Sequence, residues 1–157
     1  MADPVLMWTD GSVLTNPGQG GWAAVIVYNG SAKIVGGCSA QTTNNRMETE
    51  AIIGGLNALK KPCAVTVITD SNYVYFGLRR ILQGRMPKSN PDVWARVQQA
   101  IQGHQLQVEK TTGHADDSFN NLADVYAGLC AARQIAMNEF HADVARLVER
   151  RNRRRVR

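Results

Sequence analysis

The 157-residue sequence is 44% hydrophobic and 20% charged, a composition that suits one globular domain with a buried core. It has no apolar run near the ~18 residues of a membrane span and no basic-then-apolar N-terminal stretch, so we expect neither a membrane segment nor a signal peptide. Cys38, Cys63 and Cys130 form no Cys-x-x-Cys pair, and we expect free thiols in a reducing cytoplasm.

The net charge of +5 is unevenly distributed. Residues 146–157 contain seven arginines and one acid, a net charge of +6, which leaves −1 for residues 1–145. A near-neutral body with a basic extension indicates contact with nucleic acid or with an acidic partner. We therefore expect a catalytic or binding domain over residues 1–137 and a helical, arginine-rich extension over residues 138–157.

Apolar periodicity and turn residues predict nine elements. In chain order they are strands at 5–9, 21–28 and 32–39, a helix at 44–60, a strand at 64–69, helices at 71–83 and 90–102, a strand at 106–111, and a helix from 120. Asn29-Gly30 is a strong hairpin signal because both residues tolerate a positive φ. Asn90-Pro91 predicts an N-cap followed by proline in the first helical position.

The order of these elements predicts an α/β fold. Three strands joined by short links should be antiparallel, whereas the strand at 64–69 follows a helical crossover and should lie parallel to a neighbour. We expect a five-stranded mixed sheet, with three antiparallel strands and then parallel ones, flanked by helices.

Carboxylates follow two of the predicted strands. Asp10 and Asp70 each come directly after an apolar run, and either acid alone is an ordinary turn or cap residue. If their strands are parallel neighbours, the two acids lie side by side where α/β sheets bind ligands. Glu48 and Glu50 are about 200° apart on a helix, so one can face inward while the other is solvated. Asn120 and Asp124 share a helix face.

Six motifs occur in order between about residues 5 and 132. They are TDGS at 9–12, NPG-x-GGWA at 16–23, TTNNRME at 42–48, TDS at 69–71, GHA at 113–115 and N-x-x-AD at 120–124. With these motifs the chain resembles ribonuclease H of type 1. The resemblance implies the ribonuclease H-like fold and an endonuclease that hydrolyses the RNA strand of RNA–DNA hybrids, leaving 5′-phosphate and 3′-hydroxyl ends.

The resemblance also assigns a metal site. The four metal-binding acids of the family fall on Asp10, Glu48, Asp70 and Asp124, and the family's catalytic-loop histidine falls on His114. Two Mg²⁺ ions, for which Mn²⁺ is expected to substitute, would offset the repulsion among the carboxylates and assist an in-line displacement.

The same resemblance implies contacts to the hybrid. The family recognises the RNA 2′-hydroxyl with small polar side chains that match Asn16, Asn44, Asn45 and Asn72, the last in place of a glutamine of many relatives. Thr43 matches a contact to a DNA phosphate, beside a helix N-terminus that favours anions. Asn44 and Asn45 are also candidates for simple helix caps.

The sequence departs from well-known relatives in one segment. Their basic, tryptophan-rich protrusion, which grips the substrate, is reduced here to about residues 82–89. Either the arginines of the extension contact phosphates instead, or the extension mediates a protein contact or self-association. Two other functions remain open at this point, a hybrid-binding module with an inactive site and a DNA nuclease of related fold.

Overall fold

The computed structural model describes residues 4–112 and 118–133. The chain starts with an antiparallel meander of three strands, β1 (Val5–Val13), β2 (Gly18–Tyr28) and β3 (Ser31–Thr42). The turn between β2 and β3 contains Asn29 and Gly30, both with positive φ (50° and 78°), as the hairpin signal predicted.

The remaining elements extend the sheet and cover its two faces. They are α1 (Asn44–Asn57), β4 (Ala64–Thr69), α2 (Asn72–Leu82), α3 (Pro91–Ile101), β5 (Gln105–Lys110) and α4 (Ser118–Ala131). The strand order is β3-β2-β1-β4-β5, and β4 runs parallel to both β1 and β5. The predicted five-stranded mixed sheet is therefore confirmed.

The two faces of the sheet bury separate hydrophobic clusters. Met7 packs with Ile52 of α1 and with Trp94 of α3, whereas Trp8, the next residue, packs with Phe119 of α4. The Trp8 and Phe119 ring centroids are 4.6 Å apart. This alternation follows from strand geometry, in which successive side chains point to opposite faces. Helices α1 and α4 thus lie on opposite sides of β1.

Strand β1 is longer than its apolar run predicted. It continues to Val13, and Asp10 is opposite Ala23 of β2. The expected strand end at residue 9 was wrong because the antiparallel pairing with β2 continues through a polar and glycine-rich segment. The parallel pairing with β4, by contrast, ends at Trp8–Ile68. Asp10 therefore lies within β1, at the point where β1 has lost its neighbour β4.

Asn90 is the N-cap of α3 as predicted, but its side chain does not bond to the helix. Pro91 occupies the first helical turn as predicted, but Asn90 is in the left-handed region (φ 51°) and makes no side-chain cap hydrogen bond. Its amide nitrogen donates to the Tyr73 hydroxyl at 2.9 Å, and its oxygen accepts from Arg46 at 3.2 Å. The side chain thus links the loop before α3 to α2 and α1.

Within residues 4–112 and 118–133, no helix is long and apolar enough to cross a membrane. The predicted extension over 138–157 lies outside the described residues, so the domain boundary at 137 remains a prediction.

Candidate active site

Three carboxylates from three different elements meet beside the end of β4. Asp10 comes from β1, Glu48 from the first turns of α1, and Asp70 directly follows β4. Each offers an oxygen, and these oxygens all lie within 4.8 Å of one another. Asp10 and Glu48 are 4% and 5% exposed, whereas Asp70 is partly exposed. The predicted proximity of Asp10 and Asp70 is thus observed. Glu48 of α1 joins them, although it is far from both in the sequence.

Gly11 allows α1 to approach β1 at this point. A Cβ on Gly11 would lie 2.4 Å from the Glu48 backbone nitrogen and 2.7 Å from the Met47 carbonyl carbon, so only glycine fits between strand and helix. The Gly11 amide also donates to Asp10 Oδ1 at 2.8 Å. The strand thus holds Asp10 with its own backbone while it leaves space for Glu48.

Burial and mutual repulsion make Asp10 and Glu48 weak acids. Burial raises the pKa of Glu48 to about 10, and the nearby charges of Asp10 and Asp70 add to the rise. Burial is also the main cause that raises the pKa of Asp10 to about 7. A hydrogen bond with Glu48 favours the charged form of Asp10 and partly offsets this rise. At neutral pH the metal-free pair retains a proton, with the Glu48 carboxyl as donor to Asp10.

Glu48 faces inward and Glu50 does not, as the helix geometry predicted. Glu48 Oε2 is buried and has no hydrogen-bond partner among the described residues. Glu50 instead forms an ion pair with Arg96 of α3. A buried carboxylate oxygen without a partner costs free energy unless a cation or donor occupies its free side. Together with two further carboxylates at this spacing, it fits a divalent metal ion, whose preferred ligands are oxygens.

Helix α4 contributes from the opposite face of the sheet. Asn120 is 3% exposed, and its amide nitrogen lies 3.5 Å from Asp70 Oδ2 as a long hydrogen-bond donor. Asp124, one turn later, is exposed and raises the pKa of Asp10 through its charge, but it is not among the three carboxylates within 4.8 Å. Its predicted role as a metal ligand remains a prediction. His114 lies outside the described residues.

The predicted substrate contacts lie at the beginnings of two helices next to this cluster. Thr43 caps α1, and its hydroxyl accepts from the Arg46 amide at 3.3 Å. The exposed Asn16 accepts from the Asn44 amide at 3.2 Å, which joins the loop after β1 to the same helix end. Asn45 is exposed on the first turn of α1, and Asn72 is exposed at the start of α2, two residues after Asp70.

Two residues of this site were not assigned a role from the sequence. Gly11 has a steric role that only the three-dimensional contact with α1 shows. Asn120 was noticed for sharing a helix face with Asp124, but its contact with Asp70 joins residues 50 positions apart. The signals in the sequence that pointed toward Asn120 were its spacing from Asp124 and its place in the N-x-x-AD motif at 120–124.

A family model described as RNase H matches residues 2–132. The chain belongs to the RNase H family. The ribonuclease H of Caldicellulosiruptor saccharolyticus is 40% identical over 134 residues, which cover 78% of this chain and 92% of that one. The ribonuclease H of Bordetella pertussis is 41% identical over 141 residues, 82% of this chain and 91% of that one.

Solved structures agree with this assignment. The crystal structure of LC9-RNase H1, described as a type 1 RNase H with the type 2 active-site motif, superposes with a TM-score of 0.72. It is 26% identical, and the match covers 86% of this chain and 75% of that one. The RNase H1 of Halobacterium salinarum, at 21% identity and a TM-score of 0.61, shares the fold. The chain is thus a nuclease of the RNase H type, with a carboxylate cluster that fits metal binding.

Proposed function

We propose that this RNase H cleaves the RNA strand of RNA–DNA hybrids internally, with two divalent ions, Mg²⁺ or in its place Mn²⁺, and leaves 5′-phosphate and 3′-hydroxyl ends. The observation that supports the proposal most is the cluster of Asp10, Glu48 and Asp70, whose oxygens lie within 4.8 Å of one another in a largely buried position. Three acids so close together are costly without a cation, which argues for metal binding over a structural role.

The residues that would hold the ions are Asp10, Glu48 and Asp70, with Asp124 on the opposite side. Bound divalent ions would polarise the scissile phosphate and lower the pKa of an attacking water. Asp10, which accepts from the Gly11 amide, is the ligand that we assign to both ions. Glu48 has a buried oxygen without a hydrogen-bond partner among the described residues, and Asn120 donates to Asp70.

Proton release accompanies the loading of this site. The Glu48 carboxyl, with a pKa of about 10, is protonated at neutral pH in the metal-free protein and must lose that proton to act as a ligand. Asp10, with a pKa of about 7, is partly protonated under the same conditions. Metal affinity should therefore rise with pH over the neutral range. His114, as a proton shuttle or an aid to product release, remains part of the proposal.

Selectivity for RNA is assigned to the polar groups beside the carboxylates. Asn16, Asn44, Asn45 and Asn72 present amide donors and acceptors that suit a 2′-hydroxyl, the group that distinguishes RNA from DNA. Asn16 and Asn44 already contact each other, so their contribution to recognition should be coupled. Thr43, the N-cap of α1, is assigned the contact to a DNA phosphate, because the dipole of the helix favours an anion at its N-terminus.

A basic segment that follows Asp70 in the chain supports a nucleic-acid substrate. Residues 71–91 contain four basic side chains and no acidic one, although the body of the protein is close to neutral. The basic side chains are all exposed, and they are Arg79, Arg80, Arg85 and Lys88. This segment begins directly after Asp70, so it can contact phosphates of a strand that leaves the carboxylate cluster.

The deciding experiment is cleavage of end-labelled duplexes by the wild type and by Asp70→Asn. We expect Mg²⁺-dependent cutting of the RNA strand in an RNA–DNA hybrid, no cutting of DNA–DNA or RNA–RNA duplexes, and products that a phosphatase can dephosphorylate at the 5′ end. Loss of one carboxylate charge should lower the rate by at least ~10²-fold, because metal binding depends on it.

Asp92→Asn is the matched control. Asp92 is an exposed aspartate that pairs with Arg46 at 2.8 Å, away from the carboxylate cluster, so this variant should cleave at nearly the wild-type rate. Tight hybrid binding without cleavage would indicate a binding module with an inactive site. Preferential cutting of plain DNA would identify a DNA nuclease and refute the proposal.

A further inference from the structure

Two cysteines lie on the same face of the sheet, beneath α4. Cys38 is in β3, directly opposite Gly21 of β2. Gly36, two residues before Cys38, is opposite Ala23, whose side chain packs against α4 in the cluster that also contains Ile34 of β3. Because alternate residues of a strand share a face, Cys38 also points toward the α4 side.

Cys130 of α4 approaches this same pair of strands. A Cβ on Gly21 would lie 2.5 Å from the Cys130 Cβ, and a Cβ on Gly36 would lie 2.8 Å from the Cys130 Sγ. The Cys130 side chain therefore fills the space that two glycines leave open around Cys38. Directly opposite Cβ positions on antiparallel strands are about 4.5–5.5 Å apart, which places the Cβ atoms of Cys38 and Cys130 within about 8 Å of each other.

The environment of the Cys130 thiol agrees with this placement. Burial raises its pKa to about 11, and the next largest cause is the electrostatic effect of Cys38. The backbone N–H of Gly37, the residue before Cys38, donates to the Cys130 sulfur. The sulfur of Cys130 thus lies beside the β3 segment that contains the exposed Cys38. A bond between the two sulfurs requires their Cβ atoms to come within about 4.5 Å, so β3 and the end of α4 must move slightly toward each other.

We propose that Cys38 and Cys130 are an intramolecular disulfide pair that forms when the folded protein meets a disulfide oxidant, and that the bond fastens α4 to β3. Both thiols are free in this structure, and the third cysteine, Cys63, is excluded by its position. It lies before β4, where its sulfur contacts the Lys61 carbonyl at 3.1 Å and its amide donates to His104.

The reaction is a thiol–disulfide exchange with a low-molecular-mass disulfide such as oxidised glutathione. The exposed Cys38 thiolate attacks one sulfur, the S–S bond of the oxidant breaks, and one glutathione thiolate leaves. The Cys130 thiolate then attacks the Cys38 sulfur of the mixed disulfide and displaces the second glutathione. Two cysteine thiols are oxidised, one oxidised glutathione is reduced to two thiols, and the protons pass to the released thiolates.

The cross-link would tie together elements that contribute to the site from different parts of the chain. Helix α4 contains Asn120 and Asp124, and it packs on the sheet with polar bonds such as that from Gln19 to the Ala131 carbonyl at 2.6 Å. A covalent bond that spans most of the described chain should raise the midpoint of thermal unfolding, Tm, by at least about 5 °C.

The test is oxidation of the full-length, folded protein by excess oxidised glutathione at pH 8. We expect the number of titratable thiols, counted after denaturation, to fall from the three that the sequence contains to one. Peptide mapping without reductant should identify a Cys38–Cys130 cross-link in monomeric protein. Dithiothreitol should restore all thiols and the original Tm.

Single substitutions separate this pair from other chemistry. Cys38→Ser changes an exposed residue and should fold normally, yet it should show no gain in Tm on oxidation. Cys63→Ser is the matched control and should form the same cross-link as the wild type. Three free thiols after oxidation, a glutathione adduct at Cys38 that never closes, or a cross-link through Cys63 or between two chains would each overturn the proposal.

Discussion

Asp10 and Glu48 are held close together inside the fold, and both keep protons that they would lose in an unfolded chain. Above about pH 4.5 both carboxyls are ionised in the unfolded state, whereas in the folded state their pKa values are about 7 and about 10. The folded protein therefore binds more protons than the unfolded one across this range. By linkage, these two groups lower the stability of the metal-free protein as the pH rises.

The first prediction concerns this pH dependence. Chelator-treated wild type should lose at least about 2 kcal/mol of unfolding free energy between pH 4.5 and pH 8 relative to Glu48→Gln, which removes the carboxyl with the more strongly raised pKa. Urea unfolding at several pH values measures this difference. Adding Mg²⁺ should stabilise the wild type more at pH 8 than at pH 5, since protons compete with the metal.

Glu50→Gln is the control for this measurement. Glu50 lies on the same helix two residues later but pairs with Arg96 outside the cluster, so its variant should keep the wild-type pH dependence. If the unfolding free energy depended on pH in the same way in the wild type and in Glu48→Gln, the pKa of Glu48 would not be raised in the folded protein.

At the scale of single residues, the sequence predicted positions better than contacts. The predicted parallel pairing of β1 and β4 placed Asp10 and Asp70 correctly beside each other, and helical geometry separated the inward Glu48 from Glu50. The contact of Asn120 with Asp70 was not predictable, because it depends on how α4 docks on the sheet. Asn90 is the N-cap of α3 as predicted, but its side chain makes no cap hydrogen bond, since partners on α1 and α2 bind it instead.

At the scale of secondary structure elements, β1 and α1 approach each other closely at Gly11. Replacing Gly11 by alanine would put a Cβ 2.4 Å from a backbone nitrogen, which no side-chain rotation can relieve. We expect Gly11→Ala to destabilise the protein by about 1–3 kcal/mol and to lower cleavage activity, because α1 must move away and take Glu48 with it. Thermal unfolding and the hybrid cleavage assay measure the two effects.

Gly128→Ala provides the opposite case. Gly128 lies within α4, and a Cβ there meets nothing within 4 Å, so alanine should stabilise the helix by about 0.5–1 kcal/mol with unchanged activity. If both alanine variants behaved alike, the steric role assigned to Gly11 would be wrong.

The elements themselves were predictable because their hydrophobic periods are clear, and β4 agrees with its predicted bounds of 64–69. Boundaries that depend on long-range pairing were not. Strand β1 continues four residues beyond its predicted end at residue 9, because β2 supplies backbone partners up to Gly20. A short stretch of sequence does not contain information about this pairing.

At the scale of the whole molecule, residues 146–157 carry a net charge of +6, and their contribution to hybrid binding can be measured. We expect a variant with its seven arginines replaced by glutamine to bind hybrid more weakly and with a shallower dependence of affinity on salt, because fewer counterions are released. Fluorescence anisotropy with a labelled hybrid at several salt concentrations measures the slope. The chain shortened to residues 1–137 should behave in the same way.

A variant with both Arg79→Gln and Arg80→Gln tests whether α2 also contacts the hybrid. If the α2 arginines contact the hybrid as well, their loss should reduce the salt slope by about one unit for each phosphate contact removed. An unchanged slope in the tail variant would instead favour the alternative that the extension contacts a protein or a second copy of the chain.

The early end of β4 also affects how the two sides of the molecule communicate. Over most of its width the sheet is a partition between the α1 side and the α4 side. Beyond Thr69 the sheet no longer separates the two layers on the β4 side of β1. There Glu48, from the α1 layer, lies close to Asp10 and Asp70. Asn120 and Asp124 approach the same two aspartates from the α4 layer. An ion bound at this position would hold the α1 layer and the α4 layer together. Separating either helix from the sheet would then require the ion to dissociate.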